Sequence, residues 1–464
     1  MYRMIIAIWS LFLLVGCSIS KKCKEPQLEL PDQIVVDMAQ DSMCIADLTW
    51  MQVFADSLLT DLIGQALEYN KDMLTASARV REFERRHRMT RADLFPTVGV
   101  KAYVDRETKD NPEDGFSSDL EVAAKLSISW ELDLFRRLKW IDRKAVAEYL
   151  RTIEAKRSLQ MTLVAEVANS YFELIALDRE LEIVERTLVT RKENLHQARL
   201  RFEGGLTSEI PYQQAQVEYA KTASMVPDLQ MKRELKENEI SFLTGQMPTD
   251  IQRSKKQVLS IPFDMLKVGL PSDLITRRPD VREAEQSLRG AMAQVGVDWA
   301  DRFPRFVIGV DLGLENHEFK NFLQSPLTYM LGEVTAPVFA FGKKKAKYEA
   351  ALEAYEATRF QYEKRVIQAF KEVNDAVVGY KSTEQNTKLM NDLRNSASKY
   401  VELARFQYLN GQINYIDVLD AQRSYFNAEI DQCNAIRDQY LALINMYKAL
   451  GGGWQSVDPV VPDK

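Results

Sequence analysis

Two stretches of this chain, Arg137 to Glu203 and Gly342 to Leu409, run without a proline and with hardly a helix breaker. Roughly 65 residues of uninterrupted helix at 1.5 Å each make a rod on the order of 100 Å long. No compact soluble domain needs such a rod. In the first stretch Leu163, Val167, Ser170, Leu174, Leu177 and Leu181 recur at three- and four-residue spacing, the pattern of a packing seam. Rods of this length stay soluble by packing against similar rods, so the chain is predicted to be mainly α.

The rods belong to an internal duplication. The segment ARLRFEGGLTSEIPYQQAQ, Ala198 to Gln216, returns as ARFQYLNGQINYIDVLDAQ, Ala404 to Gln422, at a spacing of 206 residues. Phe95-Pro96 corresponds to Phe303-Pro304 at 208, Asp133 to Phe339 at 206, and Asn70-Lys71-Asp72 to Arg278-Pro279-Asp280 at 208. A period this long is a duplication and not a solenoid unit. The expected repeats are 61–250 and 270–450, joined by a linker at 251–269. A tether and equatorial segment at 17–60 precede them, and a tail at 451–464 follows. After each rod, Gly204-Gly205 or Asn410-Gly411 supplies the left-handed residue that ends a helix. Ser208 and Asn414 are the expected N-caps of the return helices, with Pro211 in the first turn of one. Each repeat therefore makes one helical hairpin, turning at Gly204 and Gly205 or at Gly411.

Between the helical parts the period changes. Leu120, Val122, Ala124, Leu126, Ile128, Trp130 and Leu132 alternate with Glu121, Lys125, Ser127, Ser129 and Glu131. This is the length and pattern of a membrane β-strand with a polar lumen. Val98 to Val104 and Phe306 to Leu314 alternate likewise, and a less regular fourth strand is expected from about Leu327 to Phe339. The hairpins 95–133 and 303–339 would be closed by polar loops at Asp105–Ser118 and Glu315–Pro326. Four strands cannot close on themselves, because membrane barrels start at eight. An open edge cannot sit in lipid, so other copies of the chain must complete the sheet, two giving eight strands and three giving twelve.

The N-terminus reads MYRMIIAIWSLFLLVGC. Its apolar run is too short to span a bilayer and fits an export signal, residues 1–16. Leu14-Val15-Gly16-Cys17 looks like a lipoprotein processing site, with Cys17 the acylated first residue of the mature chain. Cys23, Cys44 and Cys433 are too scattered for a disulfide framework or a zinc site. A net charge of −6 argues against nucleic acid as a partner. Glu193 and His196 have the spacing of a di-iron ligand pair, but such a bundle needs two pairs and the chain has three histidines; they are read as a surface pair. No phosphate loop, HExxH or nucleophile elbow is present, and neither catalysis nor a cofactor is expected.

Several motifs together make a family resemblance. They are the site at Cys17, the run Leu274-Ile275-Thr276-Arg277-Arg278-Pro279-Asp280-Val281-Arg282, the junction Trp130-Glu131-Leu132-Asp133-Leu134-Phe135, and Tyr415-Ile416-Asp417-Val418-Leu419-Asp420-Ala421-Gln422. On these the mature chain resembles a TolC-type outer membrane factor, closest to the NodT-like lipoproteins of resistance-nodulation-division efflux pumps. The resemblance implies a homotrimer with a shared 12-stranded membrane β-barrel and a long periplasmic α-helical barrel. It also implies a periplasmic adaptor, an inner-membrane pump and outer-membrane lipid as partners. A conduit for type I protein secretion is the alternative within the same architecture. Arg136 stands where the family often has glycine, kept here as Gly342, and little consequence is expected.

The resemblance further places a periplasmic gate at Asp417 and Asp420, with Ile416, Tyr408 and Arg423 as neighbours holding the constriction. Three-fold repetition would crowd the carboxylates into a narrow throat that binds cations. A link from Arg423 to an acid on an adjacent helix would latch it. For Asp417 a second reading stands beside this one: three residues after Asn414, it is also placed as a helix-start acid. Arg136 to Lys139 and Lys343 to Lys345 occupy equivalent junctions, set to meet lipid headgroups or simply solvated.

Overall fold

The computed structural model describes residues 23–26, 28, 45–54, 56–111, 115–254, 271–336 and 341–454. Cys17, Cys44 and Phe339 lie outside them. The elements repeat in length as well as in sequence. Helix α1 (Ser57–Tyr69) leads into α2 (Lys71–Ala92), the hairpin β1 (Thr97–Asn111) and β2 (Gly115–Leu132), α3 (Arg137–Glu203) and α4 (Glu209–Leu243). Helix α5 (Pro271–Arg277) leads into α6 (Pro279–Ala300), β3 (Arg305–Asn316), β4 (Pro326–Thr335), α7 (Lys343–Leu409) and α8 (Tyr415–Ala449). Helices α2 and α6 each have 22 residues, α3 and α7 each 67, and α4 and α8 each 35. Pro227 sits inside α4 without ending it.

The contacts divide the chain into two units, both drawing on each repeat. The first holds the strands, residues 78–154 and 282–365. They form one antiparallel sheet in the order β1-β2-β3-β4. The register lines up one apolar face: Val100, Leu126 and Leu312 are opposite one another, as are Val98, Ile128, Val310 and Met330. On the other face Lys101 lies opposite Lys125, a repulsive placement. It is relieved because Lys125 turns to Glu315 and donates to the Tyr103 hydroxyl at 3.2 Å. The loops are shorter than the sequence implied. Arg106, Glu107 and Thr108 pair with Leu120, Asp119 and Ser118, and Arg106 Nε donates to Ser118 Oγ at 2.9 Å. Polar side chains do not stop a strand whose backbone finds a partner. The segment expected as the second loop holds the end of β3 and a 3₁₀ turn, Phe319–Gln324.

The strand-to-helix junctions are well specified. Asp133 accepts from the N–H groups of Leu138 and Lys139 at 3.0 and 2.9 Å, capping α3. Arg137 is committed to Glu131 through three hydrogen bonds of 2.9 to 3.1 Å, which removes it from the basic cluster set to meet lipid. Phe135 and Phe303 stack at 4.5 Å. Arg136 holds φ at 61°, the left-handed region that Gly342 occupies at 81°. The expectation of little consequence is therefore corrected: a side chain in this conformation costs about 1–2 kcal/mol that glycine avoids.

The second unit comprises the described residues among 45–77, 155–281 and 366–454. Its largely aliphatic core contains an aromatic cluster. Phe172 stacks on Tyr440 at 4.3 Å, and Phe54 meets Tyr447 edge-on at 6.2 Å. Leu163, Val167, Ser170, Leu174 and Leu181 of the expected seam are buried and Leu177 partly so. Cys433 is a free thiol in a cluster with Ala176, Leu181, Val184, Leu229 and Phe426. Glu193 and His196 are exposed on α3. No described helix is long and apolar enough to cross a membrane.

Candidate functional site

The hairpin tips α3–α4 and α7–α8 end their first helices in the same way. Gly205 N–H reaches the Phe202 carbonyl at 3.0 Å and Leu206 N–H the Arg201 carbonyl at 2.9 Å. Gly411 N–H reaches Tyr408 at 3.0 Å and Gln412 N–H reaches Gln407 at 2.9 Å. This is the Schellman pattern, with glycine at the left-handed position. The φ values are 68° at Gly205 and 71° at Gly411. Gly204 is not left-handed, and its counterpart is Asn410, whose amide donates to the Phe406 carbonyl at 2.9 Å.

Helix α8 starts at a reciprocal cap. The Asp417 carboxylate accepts from Asn414 N–H at 2.9 Å. This carboxylate thus serves its own helix terminus, and the macrodipole favours its charge. Asp420, one turn on, is 60% exposed and 4.0 Å from Arg423. Ile416 is exposed beside it.

Arg423 finds its acid on an adjacent helix: its Nε and Nη2 donate to Glu218 Oε1 on α4 at 3.2 and 2.8 Å. Arg191 of α3 takes the other oxygen, Oε2, at 2.5 Å and the Glu218 carbonyl at 2.8 Å. One carboxylate thus holds two guanidiniums from two helices. Arg191 and Glu218 are nearly buried, with side chains 8% and 11% exposed, whereas Arg423 is half exposed. Burial pushes the Arg191 guanidinium below its ordinary value; Glu218 opposes that shift and Arg423 adds to it. A cavity of about 310 Å³ opens beside the three residues, walled by Met225, Phe426 and Ile430.

Nearer the turns, Arg201 of α3 donates to the Tyr408 hydroxyl of α7 and lies 5.7 Å from the centre of that ring. The Tyr408 and Tyr415 rings are 5.8 Å apart. Asn194 joins Gln422 at 3.0 Å, and Arg186 joins both oxygens of Glu429 at 2.7 Å, each an α3–α8 contact. The structure thus brings Tyr408 and Arg423 into cross-hairpin links, leaves Asp420 and Ile416 exposed, and binds Asp417 to its own cap. Sequence reasoning missed Glu218, Arg191 and Arg201. Arg201 lies inside the repeated segment, but Glu218 and Arg191 carry no local signal, because their pairing spans different helices. No group of described residues has metal-ligand geometry.

Residues 62–246 and 270–452, one block in each repeat, match the family described as outer membrane efflux protein. The toluene efflux pump outer membrane protein TtgF of Pseudomonas putida is 31% identical over 422 residues, 89% of this chain and 87% of that protein. The cation efflux system protein CusC of Escherichia coli is 27% identical over 95% of this chain and 97% of its own. The solved outer-membrane channel OprN superimposes with a TM-score of 0.85 at 26% identity, covering 93% of this chain and 100% of that one. The chain belongs to the outer membrane efflux protein family: it is an exit duct of the TolC-like fold, not an enzyme.

Proposed function

We propose that three copies of this chain assemble into the outer-membrane duct of a tripartite efflux system, gated at the helical tips. The observation that carries this reading is the four-stranded sheet. One face is apolar over most of its register, with Thr328 beside Leu312 and polar residues only towards the hairpin ends, and its first and last strands, β1 and β4, have no further partner among the described residues. Such edges are incompatible with lipid, and β4 of one copy pairing with β1 of the next closes twelve strands. The duct is passive, and a periplasmic adaptor and a resistance-nodulation-division pump deliver cargo to it. Toluene and cations, the cargoes named for two relatives, are opposite in chemistry, which fits a conduit without a selective pocket.

In this reading the links Arg201–Tyr408 and Arg423–Glu218 hold the tips closed, and Asp420 with Asp417 lines the throat. Lipidation at Cys17 anchors the chain. Tyr355, thirteenth residue of α7, donates to the Lys24 carbonyl at 2.8 Å. This fixes the chain seven residues after Cys17, a reach of about 25 Å. The testing experiment is the native mass of the detergent-extracted outer-membrane protein. Three chains are expected; a stable monomer would leave four strands unclosed and overturn the duct.

A further inference from the structure

The Arg277-Arg278-Pro279-Asp280 run is the most distinctive motif of the chain, and nothing in the gate uses it. Its structural place is revealing. Arg278 is 2% exposed. Its guanidinium donates to both Asp280 oxygens at 3.1 and 2.7 Å, to the Ala449 carbonyl at the end of α8 at 3.0 Å, and to Glu372 of α7. One side chain thus ties together both helices of the gate-bearing hairpin. The planar five-donor fork of arginine is suited to this, and lysine is not.

The first repeat shows what the tie adds. Asn70, the counterpart of Arg278, is also buried and donates to Leu243, the counterpart of Ala449, at 2.9 Å, while its carbonyl oxygen caps α2. Both return helices are therefore held at their C-terminal carbonyls by the same position. The extra arm to the ascending helix is seen at Arg278. Direct ionic links already join α3 to α4: Lys236–Glu173 at 2.7 Å and Arg191–Glu218 at 2.5 Å. Between α7 and α8 the links seen are neutral, Thr387 to the Ala435 carbonyl at 3.1 Å and Gln432 to Asn391 at 2.6 Å, or are long contacts of Arg394, to the Tyr425 hydroxyl at 3.4 Å and to Glu429 at 3.9 Å.

We infer that Arg278 is a positioning residue for the gate: by joining Glu372 to Ala449 it sets the register of α7 against α8, and through these rods the placement of Tyr408 and Asp420. The inference rests on the gated-duct reading, and its test separates the two. Spin labels at Glu402 of α7 and Ser424 of α8, both exposed, report the register as a distance in the purified full-length protein. The variants are Arg278→Asn, which copies the first repeat, and Glu372→Ala, which removes the α7 arm and leaves Asp280 and Ala449 bonded. Both are expected to shift the label distance by about 2–5 Å, the range of helix slides and one-turn steps, and to raise resting conductance in planar bilayers several-fold. An unchanged distance in Glu372→Ala overturns the inference, and that variant decides should Arg278→Asn fail to assemble. A shifted distance with unchanged conductance supports the register role and counts against the closed gate instead.

Discussion

Replacing Glu218 with glutamine tests the electrostatics of the tip most directly. The carboxylate holds two cations, and their exposure decides which loss matters. Arg423 is 49% exposed, so solvent recovers most of its charge and its link is worth under about 1 kcal/mol. The Arg191 side chain is 8% exposed, and removing the partner of a buried charge costs about 3–5 kcal/mol. Glutamine keeps one acceptor, which places the expected loss at the lower end, about 3 kcal/mol. At 1.36 kcal/mol per decade this is about 150-fold faster opening of α4 and α8 near the site, read by hydrogen exchange, which reports local unfolding. Glu218→Gln with Arg191→Met removes the stranded charge as well and is expected to recover most of the protection. Arg423→Ala alone is expected to change exchange by less than about 5-fold. If Glu218→Gln leaves exchange in both helices within about 3-fold of the parent, the buried-charge argument is wrong.

Asp420→Ala is expected to raise resting conductance and reduce block by multivalent cations; unchanged conductance removes Asp420 from the gate. Arg136→Gly relieves a left-handed side chain, and after the roughly 0.5–1 kcal/mol of extra backbone entropy that glycine loses it is expected to stabilise the strand-bearing unit by up to about 1 kcal/mol, whereas Arg136→Val destabilises it, both measured by hydrogen exchange at the start of α3. Burial pushes the Cys433 thiol from 9.0 up to about 12, so the folded protein is expected to resist thiol-labelling at pH 8, followed by mass spectrometry. Because the folded value is the higher one, this thiol's contribution to stability is fully present below pH 9 and is lost as pH rises toward 12. Cys17→Ser is expected to abolish the acyl mass increment and weaken membrane retention; an unmodified Cys17 in the parent overturns the anchor.

The sequence by itself determined the parts whose rules are local. A strict alternation from Leu120 to Leu132 can be satisfied by a strand and not by a helix, and a run without breakers from Arg137 to Glu203 can be satisfied by a helix. The 206-residue period marks both Schellman turns, because a left-handed residue after a helix is a one-residue requirement. The tertiary structure decided everything that depends on which helices meet. Asp417 was legible both as a cap and as a pore acid, and its 2.9 Å bond to Asn414 shows which neighbour it serves within the chain. Glu218 looked like any helix-surface acid until packing placed Arg191, 27 residues away, and Arg423, 205 residues away, on its two oxygens. Arg278 was visible as a motif, but its bonds to Glu372 and Ala449 reach 94 and 171 residues along the chain. Burial turns such pairs from weak surface contacts into strong ones, and burial exists only once the rods have packed.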